Sequence, residues 1–263
     1  CRLLAGGLDS FIREFDLERG VEVTESAQDS YGGAVWCIRT WQSNVPDKIH
    51  FAGLADGQDK DEGQASPKML NKAQQQVHVA IACEDGCVRL WKYSGSRRHG
   101  KGGVRVKGGL TYWRSLPRVE GRVLAVEWAD DGQRIVSTGV DGCIHCWSTS
   151  STQEVFRITV GGGPRGGSGQ ATPCVWSLGI TGDGDIVTGD ADGNTQFWDG
   201  RNGTQLHAYR HHASSVLSLA VCDSPSGKVF ASGIDSKVVC FERVEDKERG
   251  YKWVFVGYKR PHS

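Results

Sequence analysis

Apolar and polar positions alternate with a period of two in short segments that recur along the chain. In residues 88–90 and 144–146, apolar side chains flank a polar one, which is typical of a strand with one buried face. Each such segment follows an Asp-Gly or Asp-Ser pair, and an aromatic ring lies six residues after the Asp. The five Asp and ring pairs are Asp9 and Phe15, Asp85 and Trp91, Asp141 and Trp147, Asp192 and Trp198, and Asp235 and Phe241.

The turn and the ring have separate structural roles in each copy. Glycine accepts the positive φ that a tight hairpin turn needs, and the Asp carboxylate accepts hydrogen bonds from neighbouring backbone amides. A large aromatic ring buries about 150–250 Å² of surface, which is enough to attach one repeat to the next. We therefore predict that the turn aspartates and the rings are structural residues, and that the rings lie between repeats rather than against a ligand.

Two further apolar segments complete each unit. One precedes the turn by 17–19 residues, as Val123 precedes Asp141 and Val216 precedes Asp235, and another follows the ring. The pattern predicts four complete four-stranded units, flanked by the inner remnant of a fifth in residues 1–17 and by an outer strand of another near residues 251–256. The same C-terminal segment also fits as the fourth strand of the last complete unit.

Four-stranded units of this length, ending in Trp-Asp or a related pair, resemble WD repeats, which build β-propellers. The resemblance implies an all-β fold in which residues 1–263 form an incomplete WD-repeat β-propeller with partial blades at both ends. The chain begins at Cys1 in a strand, so we expect it to be a fragment of a longer protein.

Composition and motifs exclude several functional classes. The 263 residues include 36 Gly and only 7 Pro, which fits many tight turns in one large all-β domain. No apolar run approaches the roughly 18 residues that a membrane span needs. The Gly-x-Ser-x-Gly elbow, the phosphate-binding loop and the His-Glu-x-x-His motif are all absent from the sequence. The sequence thus predicts no catalytic residue, no cofactor, no small-molecule substrate and no membrane partner.

The nine cysteines include one pair with the spacing of a metal or redox motif, Cys143 and Cys146. Residues three apart on a strand point to opposite faces, so the two sulfurs diverge. We predict buried, reduced cysteines, no metal site and a reducing compartment such as the cytosol or nucleus. The adjacent His211 and His212 would likewise diverge on a strand, which favours a structural hydrogen bond over a metal pair.

Charge is balanced overall but separated locally. The chain has 31 basic and 31 acidic residues, yet residues 92–122 contain nine cations and one acid. Glycine-rich loop 95–109 can place several cations along a phosphate backbone, so we predict contacts with RNA or an acidic partner. A solvated insert is the alternative. The candidate cations are Arg97, Arg98, Lys101, Arg105 and Lys107.

Two other segments bear on partner binding. Residues 45–76 are polar and poor in large apolar side chains, which predicts a surface insert that is disordered or ordered only by a partner. Residues 181–199 contain five Asp and no Lys or Arg, so this blade is an alternative docking surface for a basic protein.

Several stretches resemble one family within the WD-repeat proteins, the cirhin family. They are "GGAVWCI" at 32–38, "ACEDGCVRLW" at 82–91, "GRVLAVEW" at 121–128 and "CVWSLGITGDGDIVTGDADGNTQFWDGRNGTQ" at 174–205. The resemblance, which spans most of residues 32–263, implies the first of two tandem propellers in a nucleolar subunit of the small-subunit processome. It implies a non-enzymatic scaffold in pre-ribosomal RNA transcription and processing, with processome proteins and pre-ribosomal RNA as partners. The basic loop and the insert are departures from the family pattern, which leaves the partner of either segment open.

An alternative function starts from the fourth turn. Asp192, Trp198, Asp199 and Arg201 match the box by which some WD-repeat substrate receptors dock on cullin-RING ubiquitin ligases. The repeat already requires the first two residues, so only Asp199 and Arg201 carry independent information.

Overall fold

A computed structural model describes most of the chain. The described residues are 2–23, 27–42, 77–94, 108–161, 172–222, 227–247 and 250–260, with the backbone alone of 97–98 and 105–106. The predicted polar insert 45–76 and most of the basic loop 95–109 lie outside these ranges. Among the residues that are described, no helix is long and apolar enough to cross a membrane.

Five four-stranded antiparallel sheets, here called blades 1–5 in chain order, account for the described secondary structure together with one short hairpin. The strands are β1 Arg2–Gly6, β2 Phe11–Asp16, β3 Val21–Glu22 and β4 Gln28–Asp29 in blade 1; β5 Val35–Gln42, β6 Val77–Cys83, β7 Val88–Ser94 and β10 Gly109–Ser115 in blade 2; β8 Arg97–Arg98 and β9 Arg105–Val106 in the hairpin; β11 Val123–Trp128, β12 Arg134–Gly139, β13 Cys143–Ser148 and β14 Glu154–Thr159 in blade 3; β15 Val175–Ile180, β16 Ile186–Asp190, β17 Asn194–Trp198 and β18 Gln205–Arg210 in blade 4; and β19 Val216–Cys222, β20 Lys228–Gly233, β21 Val238–Asp246 and β22 Gly250–Lys259 in blade 5.

Blades 2–5 follow the order that the pattern predicts, in which two strands, a turn and two more strands make one unit. Their first strands, β5, β11, β15 and β19, pack one against the next along the chain. The predictions of an all-β fold and of four complete blades are therefore confirmed.

The C-terminal strand belongs to the last complete blade. β22 pairs with β21 along its whole length, from Val238 opposite Lys259 to Asp246 opposite Gly250. The prediction that residues 251–256 form an outer strand of another blade is therefore wrong. The segment follows the ring of Phe241, just as the outer strand follows the ring in each preceding blade.

The strands of blade 1 are not those of the inner remnant that the sequence predicts for residues 1–17. The Asp9 turn joins β1 to β2, and the corresponding turn joins the second and third strands of every other blade. β3 and β4 both pair with β2, where the outer strand lies in the other blades. Blade 1 thus consists of second, third and outer strands, and the described residues contain no inner strand for it.

The predicted rings lie in the cores between consecutive blades. Trp91 packs with Ile12 of blade 1 and is 1% exposed. Three other rings follow the same rule, because each joins a cluster that combines its own blade with the preceding one: Trp147 in blade 3, Trp198 in blade 4 and Phe241 in blade 5. The fifth predicted ring, Phe15 in blade 1, is half-buried and belongs to none of these clusters. The repeat therefore places one large ring at each junction.

The cysteines among the described residues are free thiols. Two of the eight, Cys83 and Cys146, are buried, and burial raises the pKa of each thiol to about 11. Cys222 is exposed, and the remaining five are half-buried. The prediction that the cysteines are small buried hydrophobes is therefore confirmed for Cys83 and Cys146. The other six described cysteines are half-buried or exposed.

Candidate partner-binding surfaces

Both long inserts of blade 2 attach at the same end of the blade. Gln42 is opposite Val77, Val77 is opposite Tyr93, and Tyr93 is opposite Leu110 across the sheet. The polar insert leaves after the first of these residues and the basic loop leaves after the third. We call this end of blade 2 the insert end; a cation-rich segment and a polar segment both attach to it.

A short hairpin organises part of the basic loop. β8 and β9 pair antiparallel, with Arg97 opposite Val106 and Arg98 opposite Arg105. Two of the five candidate cations therefore occupy directly opposed backbone positions. Lys101 and Lys107 lie outside the described residues.

Two more cations stand on the strands from which this hairpin extends. Lys92 on β7 places its Nζ 4.6 Å from the centre of the Trp113 ring, and Arg114 places its Cζ 4.0 Å from the same ring. Arg114 also donates from Nη1 to the carbonyl oxygens of Thr149 and Ser150, at 3.1 and 3.0 Å. The strands that precede and follow the hairpin in sequence therefore hold two cations in defined positions.

Aromatic side chains brace the same end of blade 2 against blade 3. The rings of Trp41 and Trp128 stack at 6.0 Å, and His78 lies within 6.1 Å of both. Each indole also donates across the junction, from Trp41 to the carbonyl of Asp130 at 3.0 Å and from Trp128 to the carbonyl of Arg39 at 3.2 Å. The base of the two inserts is therefore rigid.

The opposite end of the inner strands carries a row of bulged residues. In each complete blade the register shifts after the first valine of the inner strand, so that the second residue is unpaired. Three of these residues are partly exposed and one is buried: Trp36 at 38%, Trp176 at 36%, Leu217 at 46% and Leu124 at 6%. We call this row the bulge end, and it is a second candidate surface for partners.

Trp36 is held in place by a charged pair at the bulge end. Its Nε1 donates to Glu84 Oε2 at 2.6 Å, and Arg122 Cζ lies 5.6 Å from the centre of its ring. Arg122 and Glu84 form an ion pair at 3.2 Å. Trp36 and Trp176 each follow a valine in stretches that resemble the cirhin family, but the sequence does not predict their exposure, because the bulge that turns the second residue outward has no signature in the alternation.

The acidic stretch of blade 4 is largely engaged within the protein. Asp185 is 4% exposed and accepts from Tyr251 Oη at 2.8 Å and from Trp253 Nε1 at 3.0 Å. Burial and the bond to Asp185 raise the pKa of Tyr251 to about 12. Asp183 pairs with Arg243. These contacts tie blade 5 to blade 4, so the stretch offers less free negative charge than its composition indicates.

Two of the four residues on which the ligase-docking alternative rests make contacts within their own blade. Trp198 is 4% exposed and donates to Thr188 Oγ1 at 3.0 Å within its own blade. Asp199 Oδ1 accepts from the backbone amide of Arg201 at 2.7 Å, which closes a local turn. Asp192 is exposed.

The turn aspartates have richer contacts than a turn requires. Asp85 accepts from the Cys87 amide at 3.1 Å and pairs with both terminal nitrogens of Arg89, at 2.9 and 2.6 Å. Arg89 also donates to the carbonyl of Tyr31 at 2.7 Å. Burial alone would raise the pKa of Asp85, but the bonds from Arg89 and the amide outweigh it and lower the pKa.

Two other turns use histidine as the partner. Asp141 lies 2.8 Å from His145 Nε2, and Asp235 lies 2.6 Å from His212 Nδ1. His212 is buried, so it forms the structural hydrogen bond that the sequence favours. Burial alone would lower the pKa of His145, but its bonds to Asp141 and Glu154 outweigh it and raise the pKa.

The fourth turn departs from the predicted pattern. Asp190, not Asp192, accepts from the turn amides: its Oδ1 lies 2.9 Å from the nitrogens of Asp192 and Asn194. Asp192 was predicted to hold this turn, but its backbone enters the turn while its side chain stays exposed. The Asp-Gly pair predicts that Asp192 accepts from the turn amides, but the acceptor is two residues earlier, at Asp190.

Comparison with known proteins identifies the repeat. The family model for "WD domain, G-beta repeat" matches residues 114–148 and 203–242. Each match runs from around the outer strand of one blade to the ring strand of the next, so the repeat frame is offset from the blade by one strand.

Three relatives illustrate the similarity. The chain is 27% identical over its whole length to "U3 small nucleolar RNA-associated protein 4" of Schizosaccharomyces pombe, covering 30% of that protein. It is 24% identical over 84% of its length to the Homo sapiens "U3 small nucleolar RNA-associated protein 4 homolog", covering 25% of it. A 26% identity over 46% of the chain relates it to "Guanine nucleotide-binding protein subunit beta-5b" of Danio rerio.

The first two relatives carry the other name of the cirhin proteins, so the comparison agrees with the predicted resemblance at 27% and 24% identity. The chain spans less than a third of the length of either one. The matched repeats, the four-stranded blades and the ring at each junction together identify this chain as an incomplete WD-repeat β-propeller.

Proposed function

We propose that the chain is part of a non-enzymatic scaffold in ribosome biogenesis, acting in the nucleolus with processome proteins and pre-ribosomal RNA during small-subunit maturation. The observation that carries the proposal is the alignment of the entire chain with a U3 small nucleolar RNA-associated protein. A propeller suits this role, because its rigid blades present several loop-lined surfaces to different partners at once.

Within this scaffold, we assign RNA contact to the insert end of blade 2. The hairpin places Arg98 opposite Arg105, and Lys92 and Arg114 stand on the adjacent strands. Closely spaced cations neutralise phosphates and release counterions, a contribution to affinity that is independent of sequence and falls with salt. Basic side chains beside a rigid aromatic base therefore suit a structured RNA backbone.

The proposed function is tested by affinity purification of the full-length protein from nuclear extract. We expect U3 small nucleolar RNA and processome proteins to co-purify with it. Recovery of a cullin and its adaptor in their place would overturn the proposal in favour of the ligase alternative, as would recovery of neither set.

Replacing the five loop cations by serine should weaken RNA binding and flatten its salt dependence. The variant changes Arg97, Arg98, Lys101, Arg105 and Lys107. The slope of log affinity against log salt should fall by up to about 4–5 if every cation contacts a phosphate. The measurement is the affinity for a structured RNA between low and physiological salt, with thermal melting to check that the fold is retained.

A charge-matched control separates this contact from a general loss of positive charge. It replaces five lysines of the blade 5 region by serine: Lys228, Lys237, Lys247, Lys252 and Lys259. This variant should keep a steeper salt dependence than the loop variant. Equal slopes for the parent and the loop variant would show that the basic loop is a solvated insert.

A further inference from the structure

Blade 3 gathers three side chains that can each donate one ligand atom to a metal ion. Cys143 and His145 are two residues apart on β13, and Asp141 lies in the turn before them. The carboxylate, thiol and imidazole donor atoms all lie within 4.8 Å of one another. Cys146 lies on the other face of β13 in a buried core, as its spacing from Cys143 predicts, whereas residues two apart, such as Cys143 and His145, share a face.

The imidazole is already oriented as a metal ligand would be. Glu154 on β14 lies 2.5 Å from Nδ1 of His145, and Nε2 points toward Asp141 at 2.8 Å. The ring is 4% exposed and stacks on Trp147 at 5.4 Å. A carboxylate on one imidazole nitrogen is the usual outer-sphere support of a metal-bound histidine, because it fixes the ring and directs the other nitrogen to the ion.

We propose that Asp141, Cys143 and His145 form a zinc site, with Glu154 as the outer carboxylate that holds the imidazole. Zinc is the metal that best suits a mixed set of one oxygen, one sulfur and one nitrogen donor. Because Cys143 is only half-buried, a water molecule can take the fourth position.

Zinc requires the three donor atoms to move in two ways. With bonds of about 2.0–2.3 Å, a tetrahedral ion holds nitrogen and oxygen ligands about 3.3 Å apart and nitrogen and sulfur about 3.6 Å apart. The carboxylate oxygen and Nε2, now 2.8 Å apart, need to separate by about 0.5 Å. The donor atoms lie within 4.8 Å of one another, so the thiol needs to approach the other two by up to about 1.2 Å.

Blade 2 supplies an internal comparison for this site. Asp85, Cys87 and Arg89 occupy the same positions as Asp141, Cys143 and His145, because the segments "DGCVRLW" and "DGCIHCW" align without a gap. At the position of His145, blade 2 has Arg89, which pairs with the turn aspartate as a permanent cation and cannot bind a metal. In blade 3 the corresponding partner is a histidine, which can exchange a proton for an ion.

The location suggests what the ion does. Thr172 Oγ1 donates to the Asp141 carbonyl at 3.1 Å, just before the first strand of blade 4. An ion bound to the Asp141 turn therefore stabilises the segment on which blade 4 begins, which makes the role structural.

The test uses the full, untagged chain titrated with Zn²⁺ and, separately, with Co²⁺ as a spectroscopic probe. We expect one equivalent of tightly bound metal, a thiolate-to-cobalt charge-transfer band, and X-ray absorption by bound zinc that fits one sulfur at about 2.3 Å with the remaining donors nitrogen or oxygen. Zinc should also raise the melting temperature of the parent.

Matched variants assign the ligands. Cys143→Ala should abolish the charge-transfer band and lower the zinc affinity at least about tenfold. Glu154→Gln should lower the zinc affinity about 10–100-fold. His145→Arg reproduces the blade 2 arrangement, so it should fold and bind no metal at this site. Cys87→Ala, which removes the equivalent thiol of blade 2, should leave the zinc affinity and the charge-transfer band unchanged. A band that survives Cys143→Ala, or a parent that binds no zinc, would overturn the site.

Discussion

Replacing Trp198 by alanine is expected to lower the free energy of unfolding by about 3–5 kcal/mol, because a large ring is removed from a core that cannot close around the space. The indole is 4% exposed and packs with Val136 and Ile144 of blade 3 and with Ile186 of its own blade. Its Nε1 also donates to Thr188 Oγ1 at 3.0 Å, so the variant leaves that hydroxyl without its donor. The measurement is denaturant unfolding of parent and variant.

Trp176 offers a matched control, because it is the same residue type in the same blade at a partly exposed position. Trp176→Ala is expected to cost about 1 kcal/mol or less, since the side chain is 36% exposed at a bulge. If Trp198→Ala unfolds like the parent, or the two variants lose equal stability, the ring of Trp198 does not lie in the core between blades 3 and 4.

The blades could be predicted from the sequence because their cause is local and repeated. A turn, a strand of fixed length and a ring recur at a constant offset, so Trp91, Trp147, Trp198 and Phe241 are located by counting. The ends of the chain were harder to predict, since a strand has the same alternation whether it completes one blade or begins the next. Only the pairing of β22 with β21 decides that case.

The candidate surfaces depend on relations that no local pattern contains. The two inserts of blade 2 are separated in sequence by β6 and β7, and the register of the sheet brings them to one end. The cluster of Asp141, Cys143 and His145 needs the support of Glu154 from the next strand. Period-two reasoning rejected the thiol pair at Cys143 and Cys146 correctly in geometric terms, yet the same reasoning places Cys143 with His145.

The two ends of blade 2 differ in chemistry, and this difference bears on how a scaffold can be used. The insert end combines cations with aromatic bracing, which suits a phosphate backbone. The bulge end presents Trp36 beside an ion pair of Glu84 and Arg122, which suits a protein partner with an apolar anchor. We therefore propose that one blade contacts RNA at its insert end and protein at its bulge end.

Asp190→Ala is expected to be one of the most destabilising single changes in the chain, at about 3–5 kcal/mol. The carboxylate is 1% exposed, and among the described residues its partners are hydrogen-bond donors without a charge. Oδ1 accepts from the amides of Asp192 and Asn194, and Oδ2 accepts from Asn194 Nδ2 at 2.8 Å and Gln196 Nε2 at 3.1 Å. Alanine would leave these donors unsatisfied, in part inside the blade, where a lost partner costs most.

Asp192 is the control that the chain provides, because the repeat pattern assigns it the role that Asp190 performs. Its side chain is exposed, so Asp192→Ala should change the free energy of unfolding by no more than about 0.5 kcal/mol. Asp190→Asn should fall between the two, since the amide keeps one acceptor oxygen but turns an NH₂ group toward donors. Denaturant unfolding of the three variants ranks them directly. Equal losses for Asp190→Ala and Asp192→Ala would show that the turn of blade 4 depends on both carboxylates, and a larger loss at Asp192 would restore the role that the sequence pattern predicts for it.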